Sequence, residues 1–209
     1  MRLTGITNTW QVISTYSVLG IEHILIGLDH LLFVLAILLL LNNGKALIQT
    51  ITAFTIAHSI TLGATSLGWL NVASEPVETT IAMSILFLAV QLVKKAKTNA
   101  LEPKIPNKDL TENHPWLVAF SFGLLHGFGF AGVLADIGLP ENGITLALLF
   151  FNLGVELGQL FFIAVVFVLG WSYRQVKLPI PVYWRIIFAY AIGGLSVCWI
   201  IERSAWIFL

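Results

Sequence analysis

Residues 16–41 read YSVLGIEHILIGLDHLLFVLAILLLL, a run that is apolar almost throughout yet holds Glu22, His23, Asp29 and His30. About 20 apolar residues in a helix cross roughly 30 Å of hydrocarbon, and this stretch exceeds that. Further apolar runs follow at roughly 46–70, 77–93, 116–135, 144–171 and 182–201. In lipid the backbone must satisfy its own polar groups within each span, so the spans are expected to be helices. The expected fold is all-α, a polytopic membrane helix bundle of about six spans, in a single transmembrane domain over 1–209.

The composition points the same way. Of 209 residues, 57% are hydrophobic and 11% charged, against about 25% charged in soluble domains. Mean hydropathy is +0.89. A soluble chain this short has too much surface to hide that much apolar area. Lys plus Arg and Asp plus Glu both number 11, giving a formal net charge of zero, and no basic patch points to nucleic acid. The lone Cys198 cannot form an internal disulfide and reads as an apolar filler. The N-terminal stretch lacks the basic and short apolar regions of a cleavable signal.

The turns are short. Asn42-Asn43-Gly44, the stretch 71–76, and Pro140 to Gly143 connect spans, and Pro179 and Pro181 precede the last. The polar stretch 94–115 reads as a flexible loop. Lysines and arginines set the expected orientation. Lys45, the lysines at 94, 95, 97, 104 and 108, and Arg174, Lys177 and Arg185 all fall on one side if the chain starts outside. The expectation is a multi-pass protein of the plasma (inner) membrane, with the 94–115 loop cytoplasmic and both termini outside. Trp10, Trp69, Trp116, Trp171, Trp184 and Trp206 lie where an aromatic belt would.

Charged and ionisable groups inside a span are costly and face a partner or a cavity. Besides the four in 16–41, these spans hold His58, His126, Asn152, Glu156 and Gln159; of the 5 histidines only His114 lies in a loop. Asp29, His30, His58, His126, Asn152 and Glu156 are expected near mid-depth of their helices. Imidazole nitrogen with carboxylate oxygen suits Ni, Co, Zn or Fe ions. The candidate metal residues are therefore His23, Asp29, His30, His58, His126, Glu156, Glu22 and Asn152. Glu22 and His23 precede Asp29 and His30 by seven residues, roughly 10 Å on a straight helix. That spacing predicts two stations, an outer one with Glu75, Glu78 and Asp136 nearby, and an inner one at the midplane. Asn152, Glu156 and Gln159 form one stripe on their helix.

The segment from His23 to His30 resembles the signature of the HupE/UreJ family, membrane proteins associated with the nickel enzymes hydrogenase and urease. The family pattern is His-Pro-x-x-Gly-x-Asp-His; here Ile24 stands in place of the proline. The blocks AFTIAHSITL from Ala53, FGLLHGFGFA from Phe122 and FNLGVELGQ from Phe151 continue the likeness. A glutamate that another branch carries after the His126 block is missing. The resemblance implies a nickel or cobalt permease in which His23, Asp29, His30 and His126 handle the metal. The residues alone leave other readings open. One is an intramembrane zinc hydrolase using the histidines, Asp29 and Ser59, with Glu156 as base. Another is a non-transporting subunit of a membrane complex. The expected partners are a divalent transition metal ion (Ni2+ or Co2+, with Zn2+ the alternative), the lipid bilayer, and a homo-oligomer or larger membrane assembly. The first reading makes the chain a carrier, not an enzyme.

Overall fold

The computed structural model describes residues 8–101, 110–137, 143–176 and 183–204. Among them the regular elements are all helices: α1 (Thr9–Ile26), α2 (Leu28–Leu40), α3 (Gly44–Ser66), α4 (Ser74–Leu101), α5 (Leu110–Asn113), α6 (Pro115–Ile137), α7 (Ile144–Gln175) and α8 (Trp184–Arg203). Asparagine side chains start two of them. Asn8 Oδ1 accepts the Trp10 N–H at 3.1 Å, and Asn43 Oδ1 accepts the Lys45 N–H at 2.9 Å. The architecture is the polytopic helical membrane bundle that the apolar runs predict.

Two expectations need correction. The run 16–41 is not one straight span. It breaks at Gly27, and α1 and α2 diverge by 73°. Gly27 is extended (φ −71°, ψ 95°), its N–H bonds the His23 carbonyl at 3.1 Å, and its carbonyl receives the Leu31 N–H at 3.0 Å. Glycine weakens a helix interior by about 1 kcal/mol, and Asp29 stabilises a new N-terminus by standing in the first turn of α2.

Among the described residues four helices are long and apolar enough to cross a membrane, or up to five if the bent pair counts as one span, and Pro115–Phe130 of α6 is a further, shorter apolar stretch. Second, the stretch 94–115 is not all loop. α4 runs on to Leu101, α5 occupies Leu110–Asn113, and α6 begins at Pro115. The Lys-Ala-rich end of α4 is made of good helix formers. Lys95 Nζ also donates to the Leu40 carbonyl at 2.6 Å, capping the C-terminal end of α2. Lys104 and Lys108 lie outside the described residues.

The tightest helix pairings are α3 with α6, α1 with α7, and α4 with α8. Small residues make the first two possible. A Cβ on Gly20 would sit 2.0 Å from the Phe151 carbonyl oxygen, and one on Gly154 would sit 2.2 Å from that of Ser17. Across α3 and α6, a Cβ on Gly123 would lie 2.4 Å from the Phe54 carbonyl oxygen. Buried Phe33, Phe54, Ile85, Leu88 and Ile192 fill the space between α2, α3, α4 and α8. The outward faces of α7 and α8 carry exposed Phe161, Phe167, Leu169, Ile187 and Phe188, which suit lipid.

Gly154→Ala therefore forces backbones apart and is expected to lower stability by roughly 1–3 kcal/mol. Gly170→Ala, on the same helix with nothing within 4 Å of its Cβ, is expected to leave it unchanged. Thermal unfolding of the two variants in one detergent checks the difference.

Candidate metal centre

His23 stands on the last turn of α1 and His30 on the first turn of α2, on either side of the Gly27 break. The bend stacks the two against each other, with ring centroids 4.5 Å apart. His58 of α3 lies 5.9 Å from the His23 ring and 6.3 Å from the His30 ring, and His126 of α6 lies 5.0 Å from His30. One nitrogen from each of His23, His30 and His58 can be chosen so that all lie within 4.8 Å of one another. His126 adjoins this trio through His30 but stands outside it.

The neighbours of three rings fix their tautomers. Asn152 Nδ2 donates to the Leu148 carbonyl at 2.7 Å, which turns its Oδ1 toward His58 Nδ1 at 3.1 Å. That oxygen can only accept, so His58 Nδ1 carries the proton and Nε2 keeps its lone pair. Asp29 Oδ1 accepts the His30 N–H at 2.9 Å and faces His30 Nδ1 at 3.0 Å. An ionised carboxylate only accepts, so in the neutral ring His30 Nε2 is likewise the lone-pair nitrogen. Ser84 Oγ donates to the Ile81 carbonyl at 2.7 Å and faces His126 Nε2 at 3.3 Å, leaving the lone pair on Nδ1.

The free nitrogens that result, His30 Nε2, His58 Nε2 and His126 Nδ1, are buried with no hydrogen-bond partner among the described residues, as is His23 Nε2. Each such orphan costs on the order of 1–3 kcal/mol. An imidazole held by an acceptor on one nitrogen, with the other aimed into a pocket, is the arrangement of a metal-ligating histidine.

A cavity of about 190 Å³ opens beside three of these rings: His23, Asp29, His30, Glu78, His126 and Arg203 are among its lining, and His58 stands behind them. Phe130, which also lines it, lies 3.9 Å from the His23 ring. Outside the lining, Phe54 lies 6.4 Å from His30 and 5.1 Å from His126. At the cavity mouth Arg203 Nε is 3.6 Å from Glu78 Oε2, and Arg203 Nη1 is 3.9 Å from Asp29 Oδ2.

The structure thus joins His23, Asp29, His30, His58 and His126, with Asn152 behind His58. Two residues fall elsewhere. Glu22 is exposed and does not line the cavity. Glu156 accepts from Thr52 Oγ1 at 2.6 Å, beside a bond from Thr55 to Gln159 at 3.0 Å, and ties α7 to α3. The two expected stations merge, because the bend removes the 10 Å separation that a straight helix would impose. His126 stands midway along α6 and His58 somewhat past the middle of α3, while His23 and His30 flank the break between α1 and α2. Glu75 is exposed, and the side chain of Asp136 lies outside the described residues.

Glu78, expected near the outer station, lines the cavity, whereas Ser84 and Arg203 adjoin the site but escape sequence reading. Ser84 had a signal, a hydroxyl inside an apolar run, whereas Arg203 looks like an ordinary flank of the last helix.

An all-helical membrane protein with a pocket of buried, acceptor-backed imidazoles is the class defined by this geometry. Over residues 2–203 the chain matches the family model described as HupE / UreJ protein, and it belongs to that family. No curated protein and no solved structure matches it.

Asn152→Ala removes the acceptor behind His58 without touching the trio itself. It is expected to weaken Co2+ binding by roughly 10- to 100-fold, the usual effect of losing a ligand's outer hydrogen bond. Titration of the cobalt absorption bands of the purified protein measures it.

Proposed function

We propose that this protein is a membrane permease for a divalent transition metal ion, nickel or cobalt, which it binds through His23, His30 and His58 with His126 alongside. The observation that carries the reading is the convergence of three imidazole nitrogens within 4.8 Å of one another, two of them left with fixed lone pairs by Asp29 and Asn152. Borderline-soft nitrogen donors favour nickel, cobalt or zinc over calcium or magnesium, which prefer oxygen. Membership of the HupE/UreJ family supports nickel or cobalt as the cargo.

The placement of the lysines supports the direction. Lys95 reaches the C-terminal end of α2, and Lys45 starts α3 nearby. The cavity mouth lies at the other end, where α2 and α4 begin and α8 finishes. With the lysine end cytoplasmic, the mouth faces outward and the ion is taken up into the cell across the plasma membrane.

A hydrolase would need a base at the imidazoles. Glu156, the candidate for that role, is engaged with Thr52, six residues and roughly 9 Å along α3 from His58. The arrangement favours carriage over catalysis.

Proteoliposomes containing the protein and an internal metal-sensitive dye test the reading. The wild type is expected to admit Ni2+ or Co2+. His30→Ala and His58→Ala are expected to reduce the rate to that of empty vesicles. Wild-type rates in both variants would overturn the permease assignment.

A further inference from the structure

Arg203 places a cation in a pocket otherwise built to receive one. Its guanidinium is near both carboxylates of the cavity mouth, 3.9 Å from Asp29 and 3.6 Å from Glu78. Unstrained ion pairs of this type close to roughly 2.7–2.9 Å, so both pairings are loose. Its backbone, by contrast, closes α8, and Thr79 Oγ1 shares its one proton between the Arg203 and Glu75 carbonyls, each at 3.0 Å. In the same pose Nη1 donates to the Glu78 carbonyl oxygen at 3.4 Å, and the guanidinium lies 5.4 Å from the centre of the Trp199 ring. The result is a charge whose head is held by long contacts only.

Asp29 makes the position consequential. One of its oxygens orients His30, and the other faces Arg203. A dication approaching the imidazoles meets the field of Asp29 and Glu78 already partly cancelled.

We propose that Arg203 is a tethered counter-ion that gates the imidazole cavity, holding Asp29 and Glu78 until an incoming divalent metal ion displaces it. This rests on the metal-permease reading. With Arg203 docked, the empty mouth carries a single excess negative charge. Once the ion arrives and the guanidinium swings away, the two carboxylates balance the two positive charges of the metal. Arg203 thereby limits how tightly the site holds its ion and returns to the carboxylates as the ion leaves.

The test is Ni2+ binding by calorimetry to the full chain in lipid nanodiscs, comparing the wild type with Arg203→Gln, Arg203→Lys and His30→Ala. Removing the internal competitor is expected to tighten binding by about tenfold in Arg203→Gln, the order of effect for a unit charge close to a dication at an effective dielectric near 20. Arg203→Lys keeps the charge but loses the fork that spans two carboxylates, and is expected to fall between the wild type and Arg203→Gln. A purely structural role would move affinity the other way, because a loosened mouth binds less. Arg203→Gln binding no tighter than the wild type, while His30→Ala loses the ion, would overturn the gate and leave the permease reading standing. Should Arg203→Gln fail to fold, an affinity at or below wild type in Arg203→Lys overturns the gate. Absence of Ni2+ binding by the wild type would overturn the permease reading, and the gate with it.

Discussion

The bend at Gly27 is the constraint on which the site depends. On a straight helix, residues seven apart share a face but stand roughly 10 Å apart along the axis, too far for one ion. The 73° break brings the rings of His23 and His30 to 4.5 Å. Interrupting a helix strands backbone donors and acceptors, a cost that rises where water is scarce. The local hydrogen bonds offset it: Gly27 N–H to the His23 carbonyl, Leu31 N–H to the Gly27 carbonyl, and the His30 N–H to the Asp29 carboxylate. Glycine is needed for space as well as for its weak helix propensity. A Cβ at position 27 would approach the His23 carbonyl oxygen to 2.8 Å and His30 Nδ1 to 2.9 Å, so any larger residue would press on the ligand ring itself.

Close helix packing carries the same logic to the other histidines. His126 is followed by Gly127, whose position 2.4 Å from the His58 carbonyl oxygen, measured from a notional Cβ, lets α6 lie directly on α3 at the level of His58. The ligand-bearing residue and the small residue beside it are therefore one device. The first supplies a nitrogen, and the second sets the backbone separation that makes the nitrogen useful. Gly154 does the equivalent on α7, two residues from Asn152, which orients His58. Dispersion and backbone contact, rather than hydrophobic transfer, hold such pairs together in lipid.

Much of this was legible in the sequence, and the misses have a common cause. Apolar run length identified a helical membrane bundle, and the cost of burying ionisable groups singled out His23, Asp29, His30, His58 and His126. What periodicity could not convey was direction after a break. The pattern of 16–41 reads as one helix because both halves are apolar all round, so no change of face marks the bend at Gly27. The same defect assigned His23 and His30 to separate stations, where the structure brings their rings together. Glu156 looked equivalent to Asn152 because they share a stripe, yet the crossing of α3 and α7 gives one to His58 and the other to Thr52. Arg203 was invisible for a different reason. Its importance comes from α8 ending where α2 and α4 begin, a tertiary fact with no local trace.

The chemistry of the donors suits temporary rather than permanent tenancy. A structural metal site closes around its ion with four ligands, often thiolates, and becomes part of the fold. Here the converging groups are imidazoles, and the nearest carboxylate, Asp29, stands behind His30 as an acceptor. Neutral nitrogen donors leave the charge of a dication uncompensated, which is expensive in a poorly solvated pocket unless counter-charges stand close by. Asp29 and Glu78 are those counter-charges, and both lie at the mouth beside the only cation lining the described cavity. Separating the groups that bind the ion from the groups that balance its charge lets the balance be adjusted without disturbing the imidazoles. A site of that kind can attract a metal ion from water, hold it briefly, and release it when the counter-charge is reclaimed, which is what a carrier requires and a structural centre avoids.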